Sequence, residues 1–174
     1  LLGTAGQAGE ARALIRKLDP AVAAACDDQT GKTDLFGLCE AVAGLDRLLT
    51  QDTGVMHLAA YYGVPVTAFF LSSAWCHETG PYGVGHEVWQ ATLPCAPCLE
   101  SAPCERGHVC RQPFADPGIL RALAGSAKAI LPPGLARFAT DCDALGAACR
   151  LTHGDDPSLP ARQSFRDFAA PPRI

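Results

Sequence analysis

The stretch Leu48-Leu49-Thr50-Gln51-Asp52-Thr53-Gly54-Val55-Met56-His57-Leu58-Ala59-Ala60 gathers residue types that together can hold an anion. It reads as a short apolar strand, an abrupt Asp-Thr-Gly turn and an alanine-rich helix with a histidine in its first turn. Such a corner aims unpaired backbone N–H groups and the positive end of a helix dipole at one point, and that point suits a phosphate. In this reading Gly54 lets the backbone approach a pyrophosphate without a Cβ in the way, and Thr53 caps the helix. Asp52 orders the turn or accepts from a ribose or sugar hydroxyl, and His57 lies near enough to the mouth to donate to an anion. The competing reading is a capped helix with a core histidine. Asp-Thr-Gly is also an aspartic-protease signature, but there it belongs to a β-rich frame, and the alanine-rich helix argues against that.

The second chemical feature is the cysteines, nine in 174 residues. Cys26, Cys39, Cys76, Cys142 and Cys149 lie among apolar or helical neighbours, where free cysteine behaves as a small core residue. The other four are clustered as Cys95-x2-Cys98-x5-Cys104-x5-Cys110. Four thiolates suffice for a tetrahedral structural zinc, and His108 can replace one of them. The Cys-Ala-Pro-Cys spacing also occurs in iron–sulfur proteins and redox pairs, and reduced thiols or an adventitious disulfide remain an alternative. Cys76-His77-Glu78 reads as loop, since consecutive side chains rarely point at one metal, and Asp155-Asp156 reads as a solvated acidic pair.

These residues need elements to position them. Residues 1–3 read as the end of a strand, 4–9 as a glycine-rich turn and 10–18 as a helix with apolar residues at helical period. Residues 21–26 read as a strand and 27–32 as a polar turn, with Thr33 or Asp34 capping a helix to residue 44. A strand over 46–50, a helix over 53–62 and a buried strand over 65–71 complete a βαβ rhythm, which means a Rossmann-like parallel sheet flanked by helices. Residues 72–115 form an irregular Cys-rich segment with one strand near 88–91; Trp75, Tyr82 and Trp89 in it cover the sheet or roof a sugar pocket. Asp116-Pro117 opens a helix to residue 130, and 135–151 reads as a final helix. The organisation expected is one domain over 1–151 and an extended or disordered tail over 152–174.

Composition narrows the class. Apolar content of 48% is that of a globular domain, and a net charge of −4 without a basic stripe argues against nucleic-acid binding. No apolar run approaches the roughly 20 residues of a membrane span. An odd cysteine count without a secretory signal points to a cytoplasmic setting. The opening Leu1-Leu2-Gly3, like a strand cut at its end, leads us to expect a fragment of something longer.

Taken together, Thr30-Gly31-Lys32-Thr33-Asp34-Leu35, the Asp52 to Ala60 segment, Tyr61-Tyr62-Gly63-Val64-Pro65-Val66-Thr67-Ala68-Phe69-Phe70 and Cys95-Ala-Pro-Cys98 with a downstream Cys110 resemble the C-terminal half of family 9 glycosyltransferases. That family includes the ADP-heptose:lipopolysaccharide heptosyltransferases. The resemblance covers residues 1–120 and implies the donor-binding half of a GT-B fold. By it, Asp52, Thr53, Gly54, Met56 and His57 line the donor's diphosphate and sugar, while Lys32 and Thr33 lie by the adenine and ribose. Gln7 or Glu10 would be the ribose contact, and the spacing favours neither. It further implies an ADP-heptose-class donor, a lipid-linked saccharide acceptor and no required cofactor. The general base would belong to a missing N-terminal domain, and the setting would be cytoplasmic, with at most peripheral contact at the inner face of the inner membrane. These residues alone are then expected to bind donor rather than turn it over. The alternatives are a structural-metal or iron–sulfur module and a degenerate, non-catalytic family member.

Overall fold

The computed structural model describes residues 1–99, 101–126 and 128–169. The chain divides into two compact units, Leu1–Gly44 and Leu45–Ile174.

The first unit carries α1 (Ala8–Ile15), α2 (Pro20–Ala24) and α3 (Leu35–Ala43). Two of these helices start where capping chemistry places them. Asp19, ahead of Pro20, accepts the Ala21 N–H at 2.9 Å, and Asp34 accepts the Gly37 N–H at 2.8 Å. Asp34 rather than Thr33 is therefore the cap of α3. The strand expected over residues 21–26 is instead α2 and its end, because an Asp-Pro start followed by alanines favours helix. Leu1-Leu2-Gly3 is not part of a sheet either. The Leu1 and Gly3 carbonyls accept the Gln29 and Gly31 N–H groups, both at 2.9 Å, which ties the start of the chain to the turn before α3.

The second unit is built on one mixed sheet. Its elements are β1 (Leu48–Gln51), α4 (Gly54–Tyr61), β2 (Val66–Phe70), α5 (Cys76–Thr79), β3 (Glu87–Ala91), α6 (Pro117–Leu123), β4 (Leu135–Asp143), β5 (Gly146–His153) and α7 (Leu159–Ala169). The strand order is β1-β2-β3-β4-β5. β1, β2 and β3 are parallel, as the βαβ rhythm requires, whereas β4 and β5 add antiparallel. Trp89, Ile119, Leu131 and Leu135 form a core cluster on which Phe69 and Phe114 pack.

Three expectations are corrected here. The final helix over 135–151 is the β4–β5 hairpin. Ala136, Phe138 and Thr140 are buried while Arg137 and Ala139 between them are half-buried, a period of two that the alanines masked. Asp143 accepts the Leu145 N–H at 2.8 Å in the turn, and Gly146 takes φ +103° there, a conformation that suits glycine. α6 stops at Leu123 rather than 130, because Gly125 at φ +80° donates to the Ala122 carbonyl and ends the helix. The tail expected to be extended or disordered contains α7, which Arg166 fastens to Asp143 of β4; residues 170–174 lie outside the described residues. Among the described residues no helix is long and apolar enough to cross a membrane.

Candidate functional site

The corner between β1 and α4 is held from below and open in front. Leu48 is buried, and its N–H bonds the Pro65 carbonyl at 2.9 Å, fixing β1 against the chain that leads into β2. In α4, Met56 and Ala59 lie one turn apart and are both fully buried, so this face seats the helix in the core. The chain then has to turn outward between them. Gln51, Thr53, Gly54 and His57 are exposed, and Asp52 is half-buried.

Asp52 orders the turn. Its Oδ2 accepts from Thr79 Oγ1 at 2.9 Å, tying the corner to the end of α5. Thr53 has extended backbone (φ −149°, ψ 162°), as a residue preceding a helix does, but its side chain does not cap the helix. Its Oγ1 lies 3.3 Å from Thr50 Oγ1 instead, so the expected side-chain cap is not made. A Cβ built on Gly54 would meet nothing within 4 Å, so the space before the first turn is open. The positive end of the α4 dipole therefore faces solvent. Met56 leaves the candidate set. Its side chain is in the core and its N–H is committed to the Thr53 carbonyl at 3.0 Å.

In the first unit, Lys32 is exposed and Thr33 half-buried beside Asp34. The Lys32 ammonium donates to the Asp28 carbonyl. Hydrogen bonds from Thr30 hold the Asp28 carboxyl below its ordinary range, and one of them is the Thr30 N–H to Oδ1 at 3.0 Å. Gly31 adopts φ +72°, and a Cβ there would come within 2.6 Å of the Ala5 Cα, so only glycine fits this turn. Glu10 is exposed in the first turn of α1, whereas Gln7 is occupied locally, its Oε1 accepting the Thr4 N–H at 2.9 Å.

The clustered cysteines are all free thiols, with Cys98 and Cys104 exposed and Cys95 and Cys110 half-buried. The ligating atoms that come within 4.8 Å of one another among the described residues belong to a different set, Cys76, His77 and Cys149. Cys76 and His77 thus do converge, contrary to the loop reading. Asp156 is not a solvated acid either: it is buried and its Oδ2 is 2.9 Å from His77 Nε2. Burial pushes the His77 pKa down, against the pull of Asp156. Burial raises Asp156, but hydrogen bonds from Ser158 and His77 more than offset this and leave it below the ordinary carboxylate range. Both shifts describe a neutral imidazole donating to a carboxylate. A hydrogen bond from Cys76 holds the Cys149 thiol low, while that bond and burial push Cys76 up.

Sequence reasoning missed Gln90, a buried amide in β3. Its Nε2 donates to the Leu71 and Ala74 carbonyls at 3.0 and 3.1 Å, and its Oε1 accepts the Cys76 N–H at 3.1 Å. One side chain thereby fixes the loop that delivers α5, which carries Thr79 to Asp52. A lone glutamine within the apolar Val88-Trp89-Gln90-Ala91 run was the available signal. Of the aromatics, Trp89 is core and Trp75 packs under the Arg162 guanidinium at 4.5 Å, so both cover structure. Tyr82 is exposed.

A parallel βαβ unit whose glycine corner opens at a strand's carboxyl end is Rossmann-like α/β architecture. The sequence model of glycosyltransferase family 9 (heptosyltransferase) matches residues 1–108, and the chain belongs to that family. It is similar to lipooligosaccharide heptosyltransferase 2 of Campylobacter jejuni, 29% identical over 79 residues, which is 45% of this chain and 25% of that protein. The chain therefore aligns with about a quarter of that relative's length. No solved structure matches it.

Proposed function

We propose that this chain binds the donor of a glycosyl-transfer reaction, a nucleoside diphosphate sugar of the ADP-heptose class, with the diphosphate at the corner between β1 and α4. The observation that carries the reading is the unfilled space before Gly54 at the start of α4, within the segment matched by the family model. The amides of Thr53, Gly54 and Val55 are the proposed donors, with His57 adding a hydrogen bond to the leaving oxygen. Asp52 acts through the turn, because one of its carboxylate oxygens is engaged by Thr79. The proposal is confined to this corner of the second unit.

The magnitudes are consistent with measurable binding. A hydrogen bond to a charged group contributes roughly 1.5–3 kcal/mol, and a helix N-terminus adds about 0.3–1 kcal/mol for an exposed anion. Two such bonds with the dipole come to about 3–7 kcal/mol, a range that brackets the roughly 4 kcal/mol of a 1 mM Kd. In the complete reaction an acceptor hydroxyl of a lipid-linked saccharide attacks the anomeric carbon with inversion as the nucleoside diphosphate departs. The groups assigned here would stabilise that departing charge. The base that deprotonates the acceptor is not among them.

Calorimetric titration with ADP tests the proposal. Heat fitting one site, reduced at least tenfold in affinity by Gly54→Val, is the expected result. Binding of ADP that is indifferent to Gly54→Val would place the diphosphate elsewhere.

A further inference from the structure

We propose that Cys76, His77 and Cys149 form a binding site for one zinc-class divalent cation that clips α5 to β5. The proposal does not depend on the donor-binding reading. It moves the metal expected at Cys95, Cys98, Cys104 and Cys110 to a different part of the fold.

Three observations carry it. The first is convergence. Ligands 73 residues apart in sequence bring two sulfurs and an imidazole nitrogen within 4.8 Å of one another. A tetrahedral ion with Zn–S near 2.3 Å and Zn–N near 2.0 Å needs ligand atoms about 3.5–3.8 Å apart, so a contraction of at most about 1.3 Å completes it. The second is the surrounding shell. His77 Nε2 is oriented by Asp156 at 2.9 Å. Asp156 Oδ1 is in turn fixed by the Ser158 N–H and Oγ at 2.9 and 2.7 Å. A carboxylate holding the far nitrogen of a ligating imidazole is the support that metal-bound histidines have, and it leaves Nδ1 for the ion. The third is room. Gly80 ends α5 where a Cβ would meet the Cys76 carbonyl at 2.3 Å and lie 3.4 Å from Cys149 Sγ. The absence of a side chain there is what allows β5 to bring its thiol against the helix.

The donor set selects the ion class. Two thiolates and one imidazole favour zinc or its cobalt and cadmium surrogates over magnesium or calcium, which take oxygen ligands. The fourth position is left to water, and a cavity of about 50 Å³ lined by Cys76, His77 and Asp156 lies alongside. Binding displaces the protons of both thiols into solvent, so two protons leave per ion bound.

The reduced full chain is titrated with Co²⁺ alone, reading the visible absorption of a tetrahedral thiolate complex, followed by displacement with Zn²⁺. One equivalent is expected, and it should persist when Cys95, Cys98, Cys104 and Cys110 are all changed to serine. Cys149→Ser, at a half-exposed position, and His77→Gln should each weaken binding by more than about 100-fold, and Asp156→Asn by about 10–100-fold. Circular dichroism identifies a variant that fails to fold; the affinity of the other variant then decides. Loss of the signal in the fourfold serine variant with retention in Cys149→Ser overturns the proposal. So does a reduced wild-type chain that takes up no cobalt, or one that yields only a Cys76–Cys149 disulfide on handling.

Discussion

Replacing Gln90 with leucine tests whether one buried amide governs the loop that carries α5. Leucine is apolar and close to glutamine in size, so the change removes hydrogen bonds without opening a large cavity. Gln90 is 4% exposed and Cys76 3%, so the Cys76 N–H that loses its acceptor is not rescued by water. An orphaned buried donor costs about 1–3 kcal/mol. The half-buried Leu71 and Ala74 carbonyls add roughly 0.5–1 kcal/mol each, and the apolar leucine returns about 1–2 kcal/mol. The net expectation is a loss of about 1–3 kcal/mol. With a urea slope near 2 kcal/mol/M, the unfolding midpoint should fall by roughly 0.5–1.5 M. Hydrogen exchange at the Cys76 amide should accelerate more than exchange in β2, because the local tether is lost first. A midpoint unchanged within about 0.2 M, with Cys76 exchange unaltered, would show that the loop is held by packing and would refute the assignment.

Other perturbations separate packing from chemistry. Met56→Ala should destabilise the second unit by about 2–5 kcal/mol in thermal unfolding, as expected of a core residue and not of a ligand. Gly54→Ala, where a Cβ meets nothing and φ is not positive, should change unfolding free energy by less than about 1 kcal/mol; a larger loss would mean that the corner is packed. Burial lowers the His86 pKa against an opposing hydrogen bond to the Tyr82 backbone, and His86 Nδ1 accepts the Val66 N–H at 3.3 Å as a neutral ring. The unfolded chain therefore binds the proton first. The stability His86 contributes is complete above about pH 6.5 and is lost as pH falls from there through the folded value. Denaturant melts across this range should show a smaller acid loss in His86→Gln than in the wild type; equal slopes would contradict the sign.

Much of this was legible because local and tertiary preferences agreed. Asp34, Thr53-Gly54 and Asp116-Pro117 each mark a helix start that the structure keeps, and the apolar runs over β1 and β2 stand where they pair in parallel. Failures came where composition and pattern disagreed: over 21–26 an apolar run outweighed the helix-favouring alanines, and over 135–151 the alanines outweighed a period of two. Residues 20–24 are helical because Asp19-Pro20 nucleates them, and 135–153 form a hairpin because burial alternates along β4. The convergence of Cys76, His77, Cys149 and Asp156 was illegible for a different reason. It depends on β5 pairing with β4 and on Gly80 clearing space, contacts across more than 70 positions that no local window contains. Met56 was misassigned because a helix residue beside a binding corner reads the same whether it faces ligand or core.

The most direct test of the central claim is an ¹⁵N-resolved titration of the chain with ADP, following the amides of Thr53, Gly54, Val55 and His57. We predict saturable shifts concentrated at these residues, weakening as ionic strength rises because the attraction is partly unscreened charge. If ADP binds while those amides stay in place, or if saturating ADP moves no resonance in the segment, the diphosphate does not dock at this corner.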